Sequence, residues 1–76
     1  MKDLLEFLSK SVTGDDTIEV NEETDGGQTV LSIKAPKDKI GLLIGKAGKT
    51  IRALRLLVKV RATLEKKGVI INVLEA

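Results

Sequence analysis

Ile44-Gly45-Lys46-Ala47-Gly48-Lys49-Thr50-Ile51 gathers two glycines and two lysines into one short stretch bracketed by isoleucines. Glycines at its ends permit positive φ and remove the β-carbons that would hold a polymer backbone away from the peptide. A helix opening near Gly48 contributes unsatisfied N–H groups and the positive end of its dipole. Lys46 and Lys49 supply full charges beside them. Such a turn suits a phosphodiester held in place, with no bond made or broken. The plainer reading is a tight helix–helix connection whose glycines serve only the turn. The lysine at the second position, the flanking isoleucines and a basic second helix favour the phosphate reading. On a helical projection Arg52, Arg55, Lys59 and Lys66 fall within one sector about 60° wide. Arg52, one turn from the loop, is the candidate for a further phosphate, and Lys66, far from it, reads as solvated.

Other chemistries have little to work with. The 76 residues include no cysteine, histidine, tryptophan or tyrosine and a single phenylalanine, Phe7. Disulfides, thiolate metal sites and cysteine nucleophiles are therefore excluded, as are imidazole ligands and a neutral-pH imidazole acid or base. Serine, threonine, lysine and carboxylates remain, in no recognisable catalytic constellation, so the chain reads as non-enzymatic with no cofactor. Aromatic platforms for base stacking are missing as well. Gly48-Lys49-Thr50 looks like the end of a P-loop, but Leu43 stands where that motif needs glycine, and a helix precedes it. Gly41 and Gly45 have the spacing of packed membrane helices without the apolar host. Asp15, Asp16, Glu19, Glu22, Glu23 and Asp25 lack calcium-loop spacing and read as a solvated strand edge, not a metal site.

The formal charge of +2 conceals a polarity. Residues 1–33 set two lysines against eight acids, a net −6, whereas residues 34–76 set eleven lysines and arginines against three acids, a net +8. One acidic face and one face for an anionic partner follow, or else two solvated surfaces of opposite sign. The absence of any apolar run near the ~18 residues of a membrane span, and of a signal-peptide pattern at Met1–Leu8, points to a cytoplasmic protein.

The elements that must position the loop can be read from periodicity. Met1 to about Val12 is an amphipathic helix with Leu4, Leu5, Leu8 and Val12 on one face, stopped by Gly14. Thr17–Glu23 alternates as a strand with Ile18 and Val20 inward. Asp25-Gly26-Gly27 is a hairpin turn leading into Thr29–Lys34, with Val30 and either Leu31 or Ile33 inward. Pro36 opens a short helix over Lys37–Ile44, cut off by Gly45. A long helix runs from near Gly48 to about Lys66 and is ended by Gly68. Val69–Leu74 is a near-continuous apolar strand, read as buried on both sides or next to an interface. The order α-β-β-α-α-β, with a right-handed crossover between parallel strands, gives a single α+β domain over residues 1–76. Its three-stranded mixed sheet is covered by three helices.

The long helix carries more apolar surface than one sheet can cover. Ile51, Leu54, Val58 and Ala62 occupy one side, and Ala53, Leu56, Leu57, Val60 and Leu64 extend the arc by about 160°, beyond the ~100° stripe of a sheet-packed helix. The first helix can cover some of the excess. A homodimer through Leu56, Val60 and Leu64 is the expectation for the rest.

The loop set between two helices resembles the signature of a KH domain, and the element order resembles its type II arrangement. From the opening Met1-Lys2-Asp3-Leu4-Leu5-Glu6-Phe7 to the closing Ile71-Asn72-Val73-Leu74, the chain is similar to the small stand-alone bacterial KH proteins of the KhpA family. The resemblance implies a single-stranded RNA-binding protein, with single-stranded DNA as the alternative ligand. Gly45, Lys46, Ala47 and Gly48 would clamp about four nucleotides, with Lys49 and Arg52 beside them. It also implies bases lying in a groove whose apolar floor draws on Ile40, Gly41, Leu43 or Ile44, and Ile51. Implied partners are a second copy and a larger KhpB-like KH protein, and the implied roles are RNA chaperone or post-transcriptional regulator. A scaffold that mainly dimerises or docks on another protein is the alternative function.

Overall fold

Gly26 and Gly27 both take positive φ, 56° and 85°, the requirement of a two-residue hairpin turn whose twist matches its strands. They join β1 (Glu19–Asp25) to β2 (Gln28–Ala35) in antiparallel register, with Val20 opposite Ile33. A computed structural model describes all residues, 1–76. α1 (Lys2–Thr13) precedes the hairpin; α2 (Lys37–Ile44) and α3 (Lys49–Leu64) follow it, and β3 (Gly68–Glu75) closes the chain. β3 pairs in parallel with β2, so the sheet order is β1-β2-β3 and the sheet is mixed, as expected. The order α-β-β-α-α-β is the one the periodicity predicts.

The core lies between one sheet face and the helices. Val20, Leu31, Ile33, Ala35 and Ile71 meet Leu5, Leu43, Ile51, Leu54 and Val58, all buried. Burial every third or fourth residue along α3 gives the helix a single seam against the sheet. The other sheet face carries Val30, Ser32 and Lys34 opposite Ile70, Asn72 and Leu74. Ile70 and Leu74 are 43% and 45% exposed there.

Three local expectations are corrected. Leu31 and Ile33 both point inward, where only one of the two is expected beside Val30, and Thr29 and Ala35 join them. Val30 sits half-buried on the opposite face, because the Val20–Ile33 pairing assigns odd residues of β2 to the core. The inner line of α1 is Leu5, Ser9 and Thr13, and Val12 is exposed; small side chains at 9 and 13 let the helix lie close, with Leu4 and Leu8 packed at its flank. β3 is an edge strand with Ile71 its one buried residue, so its apolar run is not covered on both faces.

The ends of the elements are set by local chemistry. Gly14 at φ 68° closes α1, donating its N–H to the Lys10 carbonyl at 2.8 Å. Asp15 then accepts from both the Thr17 hydroxyl and its N–H, which holds the Asp15 carboxyl below the ordinary aspartate range and fixes the turn into β1. α3 ends differently from expectation. Lys66, not Gly68, takes the left-handed conformation, at φ 58°, and the Lys67 N–H reaches back to the Ala62 carbonyl at 2.9 Å. That is glycine's usual place in a helix stop. Replacing Lys66 with glycine therefore removes a backbone penalty and should raise stability by about 0.5–1 kcal/mol, seen as a higher urea midpoint with an unchanged slope.

Candidate nucleic-acid interface

The interface is built where α2 and α3 meet. α2 ends when the Gly45 N–H bonds to the Gly41 carbonyl at 2.8 Å and the chain turns out at φ 74°, ψ 173°, a region essentially restricted to glycine. Conformation alone does not account for this glycine. A β-carbon on Gly45 would overlap the side chain and backbone nitrogen of Thr50 in the first turn of α3. A single 3-10 turn, Lys46–Gly48, follows, with Ala47 at φ 55°, ψ 27° and Gly48 at φ 73°, ψ 16°. Two hydrogen bonds close it, from the Gly48 N–H to the Gly45 carbonyl at 3.1 Å and from the Lys49 N–H to the Lys46 carbonyl. Lys46, Ala47 and Lys49 are exposed at its tip. No side chain caps the N-terminus of α3, and of its first-turn N–H groups that of Lys49 is spent on the Lys46 carbonyl within the turn.

Beyond the turn the basic stripe borders a groove. Arg52, Arg55, Leu56 and Lys59 of α3 form one wall, and Val69, Ile70, Ile71 and Asn72 of β3 the other, enclosing about 710 Å³ open to solvent. Because β3 is an edge strand, its outer backbone groups face this groove. The Arg55 guanidinium already uses one, donating to the Ile71 carbonyl at 3.4 Å. A second hollow between α1 and β1 is lined by Lys2, Glu6, Lys10, Asp16 and Glu19 and has mixed charge.

Ion pairing separates the two regions. The protein has two salt bridges, Lys10 with Glu6 and Arg61 with Glu65, each at 3.1 Å and one helical turn apart. Lys46, Lys49, Arg52, Arg55 and Lys59 have no carboxylate partner. The turn and groove thus carry uncompensated positive charge, while the acids of β1 lie across the sheet on the opposite edge.

Placement of the predicted residues is uneven. Gly45, Lys46, Ala47, Gly48 and Lys49 form one turn, with Arg52 folded back on it through hydrogen bonds to the Ala47 and Gly48 carbonyls. Ile40 is half-buried against the core, while Gly41 and Ile44 are exposed on α2; none of the three lines the groove. The β3 wall was missed. Its signal is the near-continuous apolarity of Val69–Leu74, whose reading as two-sided burial or proximity to an interface does not tie it to the basic helix.

A parallel strand pair crossed over by two helices, with a Gly-x-x-Gly turn between them and a helix and strand ahead, defines a KH domain in the type II arrangement. The chain belongs to the family described as KhpA/KhpB, KH domain, whose model matches residues 2–73. Among its relatives is the RNA-binding protein KhpA of Clostridium acetobutylicum, 33% identical over 75 residues covering 97% of this chain and 100% of that one. The RNA-binding protein KhpA of Caldanaerobacter subterraneus is 35% identical over the same shares. That of Halalkalibacterium halodurans is 33% identical over 76 residues, 99% of this chain and 100% of its own.

The two glycines of the turn should respond differently to alanine. Gly45→Ala meets both the forbidden backbone region and Thr50, and should cost about 3–5 kcal/mol. Gly48→Ala meets only open space, its nearest neighbour being Arg52 Nε at 4.0 Å, and should cost about 1–2 kcal/mol. Urea denaturation followed by circular dichroism checks the order.

Proposed function

We propose that the chain is a non-enzymatic binder of single-stranded RNA that clamps the sugar–phosphate backbone of about four nucleotides against the Gly45–Gly48 turn. The observation that carries this reading is the run of unpaired cations from the turn into the groove. Lys46 and Lys49 neutralise phosphates at the uncapped start of α3, and Arg55 and Lys59 continue the track. Bases then lie along β3, where half-buried Val69 offers apolar contact and the strand edge offers backbone hydrogen bonds. The relatives that carry the name RNA-binding protein support RNA as the ligand. Without stacking aromatics, affinity comes from charge and clamping, so binding is salt-sensitive and weakly selective. Such a binder suits an RNA chaperone or post-transcriptional regulator acting in the cytoplasm. The family description, which joins KhpA with KhpB, supports a larger KhpB-like protein as partner.

With Lys46, Lys49 and Lys59 each neutralising a phosphate while Arg55 keeps its bond to the Ile71 carbonyl, log K should fall with log salt at a slope of about −2. Replacing Lys46 and Ala47 together by aspartate should weaken RNA binding by about a hundredfold or more and leave the circular dichroism spectrum unchanged. Both side chains are exposed, and aspartate accepts the left-handed conformation of residue 47 better than most residues. Retained binding in that variant would falsify the clamp.

A second reading rests on the outer face of α3. Leu56, Leu57, Val60 and Leu64 are all more than half exposed, Leu64 reaching 77%. A contiguous apolar face of this kind fits an interaction module, with a second copy as its partner. The wild-type chain should scatter light as a dimer at high micromolar concentration, and Val60→Glu or Leu64→Lys should return it to a monomer that still binds RNA. A monomeric wild type at that concentration removes the dimer.

A further inference from the structure

Arg52 stands apart from the other cations of the track. Its guanidinium lies over the turn that precedes it, Nη2 donating to the Ala47 carbonyl at 2.6 Å and Nε to the Gly48 carbonyl at 3.4 Å. Those two carbonyls belong to consecutive peptide planes. In a trans peptide the N–H points opposite to the C=O. The N–H groups of the same two planes, on Gly48 and Lys49, make the bonds that close the turn onto the Gly45 and Lys46 carbonyls. Each plane is therefore held at both ends, by the turn on one side and by Arg52 on the other.

The turn has need of such a hold. Ala47 carries a β-carbon in the left-handed region, which costs an L-residue about 1–2 kcal/mol, and no side chain caps the helix that follows. A charged donor on a neighbouring carbonyl is among the stronger hydrogen bonds available. Its anchor is the first full turn of α3, which is packed into the core through Ile51 and Leu54.

We infer that Arg52 is a positioning residue whose guanidinium clasps the Ala47 and Gly48 carbonyls and holds the Gly45–Gly48 turn in its binding shape before nucleic acid arrives. The inference rests on the RNA-clamp reading for its consequence, though not for the clasp itself. Lys46 and Lys49 then meet phosphates from a preformed surface, and less ordering is required on binding. The Arg52 charge is engaged by the carbonyls and does not count among the neutralised phosphates. Lysine cannot replace it, because one ammonium lacks the planar fork that spans two adjacent carbonyls.

The test uses the full-length chain and its Arg52→Lys and Arg52→Gln variants. In the free protein, amide exchange at Gly48 and Lys49 should be about tenfold faster in both variants than in wild type; unchanged exchange in both overturns the clasp. With a short oligouridine as probe, both variants should lose affinity by a similar factor, roughly fivefold, with the salt slope of wild type retained. Wild-type affinity in Arg52→Lys, together with a slope shallower by about 0.7 in Arg52→Gln, identifies a phosphate contact and overturns the proposal. In an Ala47→Gly background, where the strained β-carbon is gone, the effect of Arg52→Gln on exchange should shrink; an equal effect in both backgrounds counts against the clasp. If wild type binds no oligouridine at any salt concentration, the RNA reading fails, and the exchange rates still decide the clasp.

Discussion

Everything at the interface depends on how closely α3 starts against the end of α2. Thr50 occupies the space that a β-carbon on residue 45 would take, so the two helices meet at this distance only with glycine there. The approach leaves three residues to reverse the chain, and Ala47 and Gly48 both enter the left-handed region to do it. An exposed tip and a helix start without a side-chain cap are consequences of that geometry, and the sequence places Lys49 and Arg52 beside them. The penalty of placing a β-carbon at residue 47 is accepted where an exposed, close-fitting backbone is the result.

Electrostatics and topology reinforce the same face. β2 is central, and the crossover through α2 and α3 sets β3 on its far side from β1. The acidic strand and the basic helix therefore border opposite edges of one small sheet. The +2 net charge is the sum of an acidic edge that discourages strand pairing and a basic groove that attracts an anion. Both ion pairs lie on helix surfaces away from the groove, so its cations stay available. Leu56 lies at the boundary, lining the groove while belonging to the exposed outer face of α3.

Much of this was readable from residue order, and the failures share a cause. The bounds of α2 follow from the local signals Pro36 and Gly45, and the hairpin turn from Gly26-Gly27. The strands are less well bounded: β1 runs from Glu19 to Asp25, two residues later than the expected Thr17–Glu23, and β2 extends one residue beyond Thr29–Lys34 at each end. What depended on partners was not readable. Alternation in β2 could be counted, but pairing with β1 decided that Thr29 and not Val30 faces the core. The apolar run of β3 was ambiguous until the sheet order made it an edge. Gly68 looked like the stop of α3, whereas Lys66 bears the left-handed turn. In the interface, the loop and basic stripe followed from spacing. The β3 wall is a tertiary fact, Arg55 and the Ile71 carbonyl it reaches lying sixteen positions apart in the chain, whereas the fold-back of Arg52 is a local contact that a helical projection does not display.

On the proposed function, single-stranded RNA lies across the turn and along the α3–β3 groove. Amide chemical-shift mapping during titration with a short single-stranded RNA tests it most directly. Shifts should concentrate at Gly45–Lys49, Arg55, Lys59 and Val69–Asn72, and should fade as salt is raised. Shifts confined to the acidic hairpin or to the outer face of α3, or shifts indifferent to salt, would contradict it.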